Sequence, residues 1–334
     1  MSQKFSYSRL DCYGQCGWKY KLKYVDGNYI YQPTIATAYG TLIHAIEERM
    51  ANLMKAGKEI DFDELRLDFE QMNVPKRSKY DRSGDLFGTK ILAQKFPKEW
   101  HDFSSAKSGK SYAMKARDYE KNGIYTFPNY MKEHPELEVV GAEVSFEYNY
   151  RGYVFNGFID RLLKVKGENK YVIHDIKTKD TPYKDTELTS PRQFACYAMA
   201  VRKMFDKKAE VECFYELPTL GMFQAAGTRG WEKRCWKKID EFLDGIEDEN
   251  WAPKNSALCY WCEFCQINPS ATEQGKGLCP YYSLYSPEHK DRLGQVEFEW
   301  KGIEHHEEVM EQFRKRMAQE ELANKRQRYG DIDF

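Results

Sequence analysis

The sequence predicts an α/β protein with a central sheet flanked by helices. Three observations carry this. Residues 138–150, 152–165 and 170–177 alternate apolar and polar positions, with Arg151-Gly152 and Gly167-Glu168-Asn169 between them. That is the pattern of a three-stranded antiparallel meander. Residues 36–56 and 188–205, on either side of it, repeat apolar side chains at helical spacing. A Cys-rich segment, Trp251 to Pro280, follows as a separate texture. With 334 residues the chain has room for a sizeable core and about two domains, or one decorated domain.

In order along the chain, residues 6–24 read as an aromatic and basic helix, with Ser6 and Ser8 as caps and Leu10, Tyr13, Tyr20 and Tyr24 recurring. In 36–56, Leu42, Ile43, Ile46, Met50, Leu53 and Met54 share a face, and Gly57 is the stop. Residues 58–135 read as mostly helical around a basic loop at 104–111. After the meander, Phe194, Tyr197, Ala198, Val201 and Phe205 mark the 188–205 helix, 209–217 a strand and 228–248 a further helix. Residues 303–328 form a charged helix with a narrow apolar stripe, ending in the acidic tail Tyr329 to Phe334. The expected division is 1–57 opening helices, 58–137 helical insertion, 138–250 core, 251–285 Cys-rich module, and 286–334 charged helix and tail.

Composition excludes several classes. Lys+Arg 51 against Asp+Glu 52 leaves a net charge of -1, which rules out a uniformly basic coat protein but not a local basic groove. No apolar run approaches the ~18–20 residues of a membrane span. Met1 to Phe5 has no apolar signal core, so a cytoplasmic protein is expected. Nine cysteines, an odd number, read as metal ligands and buried thiols rather than disulfides. Gly109-Lys110-Ser111 lacks the earlier glycine of a phosphate loop, Ser104 standing there, so no nucleotide motor is expected. The loop lysines, with Lys115 and Arg117, either contact phosphates or form a solvated basic surface.

The chemistry concentrates in Gly157-Phe158-Ile159-Asp160-Arg161 and Asp175-Ile176-Lys177-Thr178. Residues two apart on a strand share a face, so Asp175 and Lys177 project together. Carboxylates from neighbouring strands can hold Mg²⁺, and a lysine beside them can orient water and stabilise phosphate charge. The alternative is a cross-strand salt bridge, Asp160 or Asp175 with Lys177.

An ordered series of motifs over residues 6–280 resembles the PD-(D/E)XK nuclease superfamily, specifically its RecB-like branch. Ser6-x-Ser8-Arg9-Leu10-x-x-Tyr13-x-x-Cys16 looks like the opening helix and Gly40-x-x-x-His44 like the G-x-x-x-H motif. Gly157-x-Ile159-Asp160-Arg161 and Asp175-x-Lys177-Thr178 look like motifs II and III, and Gln193-x-x-x-Tyr197 like the helix that follows. The resemblance implies a restriction-endonuclease-like core, a mixed sheet between helices. It implies His44, Asp160, Asp175 and the Ile176 carbonyl as ligands of Mg²⁺ or Mn²⁺, Lys177 as the water-activating group, and Gln193 and Tyr197 as steadying the site and the DNA backbone. Packing alone would also explain Gln193 and Tyr197. A helix histidine satisfied by Glu47 or Glu48 would explain His44. Glu143, on the first strand, is a supporting candidate only.

Cys259-x-x-Cys262-x-x-Cys265 and Cys279 admit a local Zn²⁺ site. The resemblance implies instead a [4Fe-4S] cluster held by Cys16, Cys259, Cys262 and Cys279, with Cys265 as the alternate fourth ligand, tying the first helix to the C-terminal part. Cys12 is a weaker substitute, and Cys196, Cys213 and Cys235 read as buried thiols. Gly17 stands where the family usually has proline.

The expected function is thus a standalone metal-dependent DNA exonuclease acting on single- or double-stranded ends in recombination, repair or phage DNA metabolism, in the host cytoplasm if phage-encoded. The alternatives are a structure-specific endonuclease of the same fold and a non-catalytic Cys-rich zinc protein that binds nucleic acid. The terminal Phe334 behind Asp331 and Asp333 suggests docking to a replication or recombination protein, against a frayed end with no partner.

Overall fold

The computed structural model describes residues 4–30, 34–71, 88–102, 109–254, 256–266, 268, 270–283 and 296–298. The expected helix at 303–328, the tail and residues 103–108 of the basic region lie outside them. The chain divides into two compact units, Met1–Tyr7 with Pro33–Trp236 and Ser8–Gln32 with Lys237–Phe334.

Along the chain come β1 (Lys4–Phe5), α1 (Tyr7–Gln15), α2 (Gly17–Tyr20) and a π-helical turn (Lys21–Val25). Then follow α3 (Ile35–Lys55), α4 (Phe62–Gln71), α5 (Thr89–Lys95), α6 (Pro97–His101), α7 (Tyr112–Lys121) and α8 (Thr126–Glu133). The sheet strands β2 (Leu137–Tyr150), β3 (Tyr153–Val165) and β4 (Lys170–Ile176) lead to α9 (Asp185–Leu188) and α10 (Arg192–Met204). Strands β5 (Glu210–Leu217) and β6 (Met222–Ala226), α11 (Trp231–Glu247), β7 (Tyr281–Ser283) and β8 (Val296–Phe298) complete the order.

In the first unit six strands form a mixed sheet, ordered β1-β3-β4-β5-β6, with β2 also paired to β3. This is the α/β class expected, and the meander is β2, β3 and β4, antiparallel throughout. Its first turn holds Arg151 at φ 51° and Gly152 at φ 82°. Two left-handed residues match the right-handed twist of the flanking strands. Strands β4 and β5 run parallel and need a crossover, which α10 supplies. Helix α3 starts at Thr34, whose hydroxyl and that of Thr37 cap each other's backbone N–H, and Gly57 at φ 64° follows its end.

Register sorts the side chains by face. Arg161 pairs with His174, His174 with Phe214 and Ile176 with Glu216, so these share one face. On that side Leu163 and Val172 pack with Ala51 of α3 and Phe127 of α8. Asp160, Asp175 and Tyr215 alternate to the other face, where Phe194 of α10 lies 4.8 Å from Tyr215.

One local reading changes, and two strands appear that the sequence reading did not assign. The helix expected over 6–24 breaks at Cys16, which is extended (φ -166°) and caps α2 through its thiol. Strand β1 is too short to show a period. Strand β6 starts behind Gly221, left-handed at φ 63°, which reverses the chain directly after β5. In the second unit Phe264 is fully buried beside Trp18, Leu22, Cys279 and Tyr281, and Tyr13 packs edge-on to Phe242 and Trp251.

Candidate active site

The β3–β4 ladder ends at the Arg161–His174 pair. Beyond it, Asp160 Oδ2 accepts the Ile176 N–H at 2.8 Å, fixing one carboxylate oxygen where the strands part. On β2 the register shifts between Val139 and Gly141, and the flanking pairs Ala142–Arg161 and Val144–Ile159 then set Glu143 opposite Asp160. Glu143 is left-handed at φ 47°, an uncommon conformation for a non-glycine residue. Helix α3 brings His44 to the same place: Nδ1 lies 3.7 Å from Glu143 Oε1 and 3.8 Å from Asp160 Oδ1. Among the described residues, this is the set whose three ligand atoms all lie within 4.8 Å of one another. One imidazole and two carboxylates are a donor set for a divalent cation.

Asp175 and Lys177 do project together, with Lys177 Nζ 2.6 Å from Asp175 Oδ2. Of the two carboxylates offered to Lys177, Asp175 is thus its partner, from the same segment rather than across strands. Asp175 is 1 % exposed, and its Oδ1 has no hydrogen-bond partner among the described residues. A buried carboxylate oxygen left without a partner is costly unless it faces a cation. The residues thus fit a metal ion. Glu47, offered as a partner for His44, turns instead to Arg161. Gln193 Nε2 donates to the Tyr197 hydroxyl at 2.7 Å, so the two helix residues act as a pair.

The electrostatics agree with the geometry. Burial raises the Asp160 pKa to about 6, with Asp175 and Glu143 adding to it against His44 and Lys177. For His44, burial works downward, but the Asp160 and Glu143 carboxylates outweigh it and raise the pKa. For Lys177, burial is likewise outweighed by Asp175 and Asp160, which hold the ammonium charged. Burial, then the fields of Asp175 and Asp160, push the Tyr197 phenol far above its ordinary value, so it keeps its proton. Of the basic region, Lys110 pairs with Asp118 at 2.7 Å and Lys115 with Asp180 at 3.0 Å.

The second unit contains a different donor set. Cys16, Cys259, Cys262, Cys265 and Cys279 line one cavity with Lys19, Phe264 and Tyr281. Cys16 Sγ accepts the backbone N–H groups of Lys19 at 3.5 Å and Lys254 at 3.3 Å. Cys265 and Cys279 face each other across an isolated parallel bridge. Burial pushes the Cys262 thiol up to about 12 and raises Cys16 and Cys279. Cys196, Cys213 and Cys235 are buried.

No described helix is long and apolar enough to cross a membrane. No curated protein matches the chain. A family model described as the PD-(D/E)XK nuclease superfamily matches residues 4–268, a span that includes His44, Glu143, Asp160, Asp175 and Lys177. With a match over most of its length and a cation-ready carboxylate set on the sheet, the chain belongs to the PD-(D/E)XK nuclease superfamily and is a metal-dependent nuclease.

Proposed function

We propose that the protein is a Mg²⁺- or Mn²⁺-dependent DNA exonuclease of the RecB-like kind, acting on DNA ends in recombination, repair or phage DNA metabolism. The observation that carries the site is the meeting of His44, Glu143 and Asp160 within 4.8 Å, beside the Asp175–Lys177 pair. His44, Glu143, Asp160 and Asp175 hold the cation in this reading, and the Ile176 carbonyl at the end of β4 is the further ligand that the resemblance implies. The cation, when bound, lowers the pKa of water and stabilises charge on the phosphate. Water oxygen bonds to phosphorus while the bond to the leaving sugar oxygen breaks. Lys177, held as an ammonium, cannot take the water's proton, which passes to solvent while the leaving sugar oxygen takes up a proton from solvent. The lysine donates to the water or to a phosphate oxygen and offsets the charge that grows there. Tyr197, held protonated and accepting from Gln193, donates toward the scissile phosphate.

The cysteine cavity supports a [4Fe-4S] cluster as the second cofactor. The reading rests on five thiols lining one cavity, Cys16 among them although it lies far along the chain from the other four. The two backbone N–H groups on Cys16 Sγ are bonds that stabilise a ligating thiolate. Cys16, Cys259, Cys262 and Cys279 are the proposed ligands, with Cys265 as the alternate. The C-terminal tail remains a proposed docking element for a recombination or replication protein.

End-labelled linear single- and double-stranded DNA, with a closed circle of the same sequence, tests the function in Mg²⁺ and Mn²⁺. Degradation of linear DNA with closed circles intact is expected. Cleavage of closed circles would instead assign an endonuclease.

A further inference from the structure

Beneath the carboxylates, on the opposite face of the sheet, lies a cluster of charges that the hydrolysis does not use. Arg161 is 0 % exposed, as are Glu47, Glu216 and His174. Arg161 Nη2 donates to Glu47 Oε2 at 2.7 Å, and Nη1 donates to Glu216 Oε2. The guanidinium lies 3.4 Å from the centre of the Phe127 ring. His174 Nδ1 is 3.2 Å from Glu216 Oε2, and the Tyr119 hydroxyl donates to Glu47 Oε1 at 2.8 Å. Well-packed apolar residues usually replace such a buried ionic cluster with no loss of stability. Stability alone therefore does not account for it.

Its placement does. Each member is next to a residue of the metal site. Glu47 is one helical turn beyond His44 on α3, Arg161 follows Asp160 on β3, and His174 precedes Asp175 on β4. The Glu216 carbonyl on β5 accepts the Lys177 N–H at 2.8 Å. On β3 and β4, alternation sends Asp160 and Asp175 to the metal side and Arg161 and His174 to the cluster. The planar guanidinium fork binds carboxylates in defined directions, so it fixes the helix against the strands in a way that apolar packing, which tolerates sliding, does not.

We propose that Arg161 is a positioning residue. Through Glu47 on α3 and Glu216 on β5 it sets the distance at which His44 meets Asp160 and Glu143, and so the affinity of the site for its cation. This rests on the metal-site reading above.

The test is Mn²⁺ binding by the full chain without DNA, read from the paramagnetic resonance signal of free Mn²⁺. Thiols are poor ligands for this hard ion, so the titration reports the carboxylate site. The sign of the change decides. Loss of a nearby positive charge, acting through space, would tighten Mn²⁺ binding in Arg161→Met. Loss of positioning weakens it, by about 10- to 100-fold, the range for groups that orient metal ligands. Glu47→Gln combined with Arg161→Met leaves the net charge unchanged and is expected to weaken binding as well. Should these variants not fold, Arg161→Lys keeps the charge and loses the fork, and weaker binding at a melting temperature near the parent's supports the proposal. Unchanged or tighter binding in the folded variants overturns it and leaves Arg161 as core structure. Asp160→Asn is the control: if it binds Mn²⁺ like the parent, the metal-site reading itself fails, and the role of Arg161 with it.

Discussion

The two donor sets of this protein are built on opposite principles. The carboxylate site is assembled from four segments, α3, β2, β3 and the end of β4, and its charges oppose one another: His44 faces Glu143 and Asp160, and Lys177 faces Asp175. It keeps some openness, with His44 25 % and Glu143 28 % exposed at the side chain. The cysteine cavity gathers five thiols around Phe264 and Tyr281, where burial holds Cys16, Cys262 and Cys279 neutral. The first set opposes most of its charges within itself, so its cation is expected to serve the chemistry. If the thiols of the second set hold the proposed cluster, that cofactor is linked to folding. Losses at the first site should therefore appear in rate, and losses at the second in stability.

The largest effect is expected at the first. Asp175→Ala and Lys177→Ala should each lower cleavage of labelled DNA by roughly 10³-fold or more in protein that still folds. Parental activity in a folded Lys177→Ala protein would remove the lysine from the reaction. At the second site the readouts exchange places. Anaerobically prepared protein should be brown and contain iron and acid-labile sulfide. Cys16→Ala should lose the colour and melt lower by on the order of 10 °C. A colourless protein carrying zinc and indifferent to Cys16→Ala would decide for the local zinc site.

Two smaller effects sharpen the contrast. Tyr197→Phe removes one hydrogen bond near the reacting phosphate and should slow cleavage roughly 10-fold, with binding of DNA unchanged. A change in DNA affinity alone would make Tyr197 a binding residue. Asp160→Asn should stabilise the protein in EDTA. The Asp160 pKa rises from 3.8 to about 6 on folding, so the folded chain holds this proton more tightly than the unfolded chain. Stability contributed by the proton is present below pH 4 and is lost as pH rises through about 6. At pH 7.5 the variant should melt about 3 °C higher than the parent, and at pH 4 it should show no gain. A gain at both would mean that the carboxylate is not strained by its surroundings.

What the sequence reveals follows the same division. Asp160, Asp175 and Lys177 are legible because strand alternation and spacing act over a few residues, and the chain order of the motifs carries the rest. Glu143 is underrated by the sequence because a register shift between Val139 and Gly141 aligns it with Asp160, and no period announces such a shift. Arg161 reads as a motif letter, yet its partners Glu47 and Glu216 lie 114 and 55 positions away, where no local pattern reaches. The break at Cys16 is hidden for another reason: a thiol cap replaces the Ser, Thr, Asp or Asn that would mark a helix start.

The most direct test of the central claim is hydrolysis of an end-labelled linear DNA by the full chain, compared across Mn²⁺, EDTA and Asp160→Asn in Mn²⁺. The expected result is cleavage by the parent in Mn²⁺ alone, with EDTA and Asp160→Asn reducing it to background. Cleavage that persists in the folded Asp160→Asn protein would contradict the claim that Asp160, with His44 and Glu143, holds the cation that hydrolysis requires.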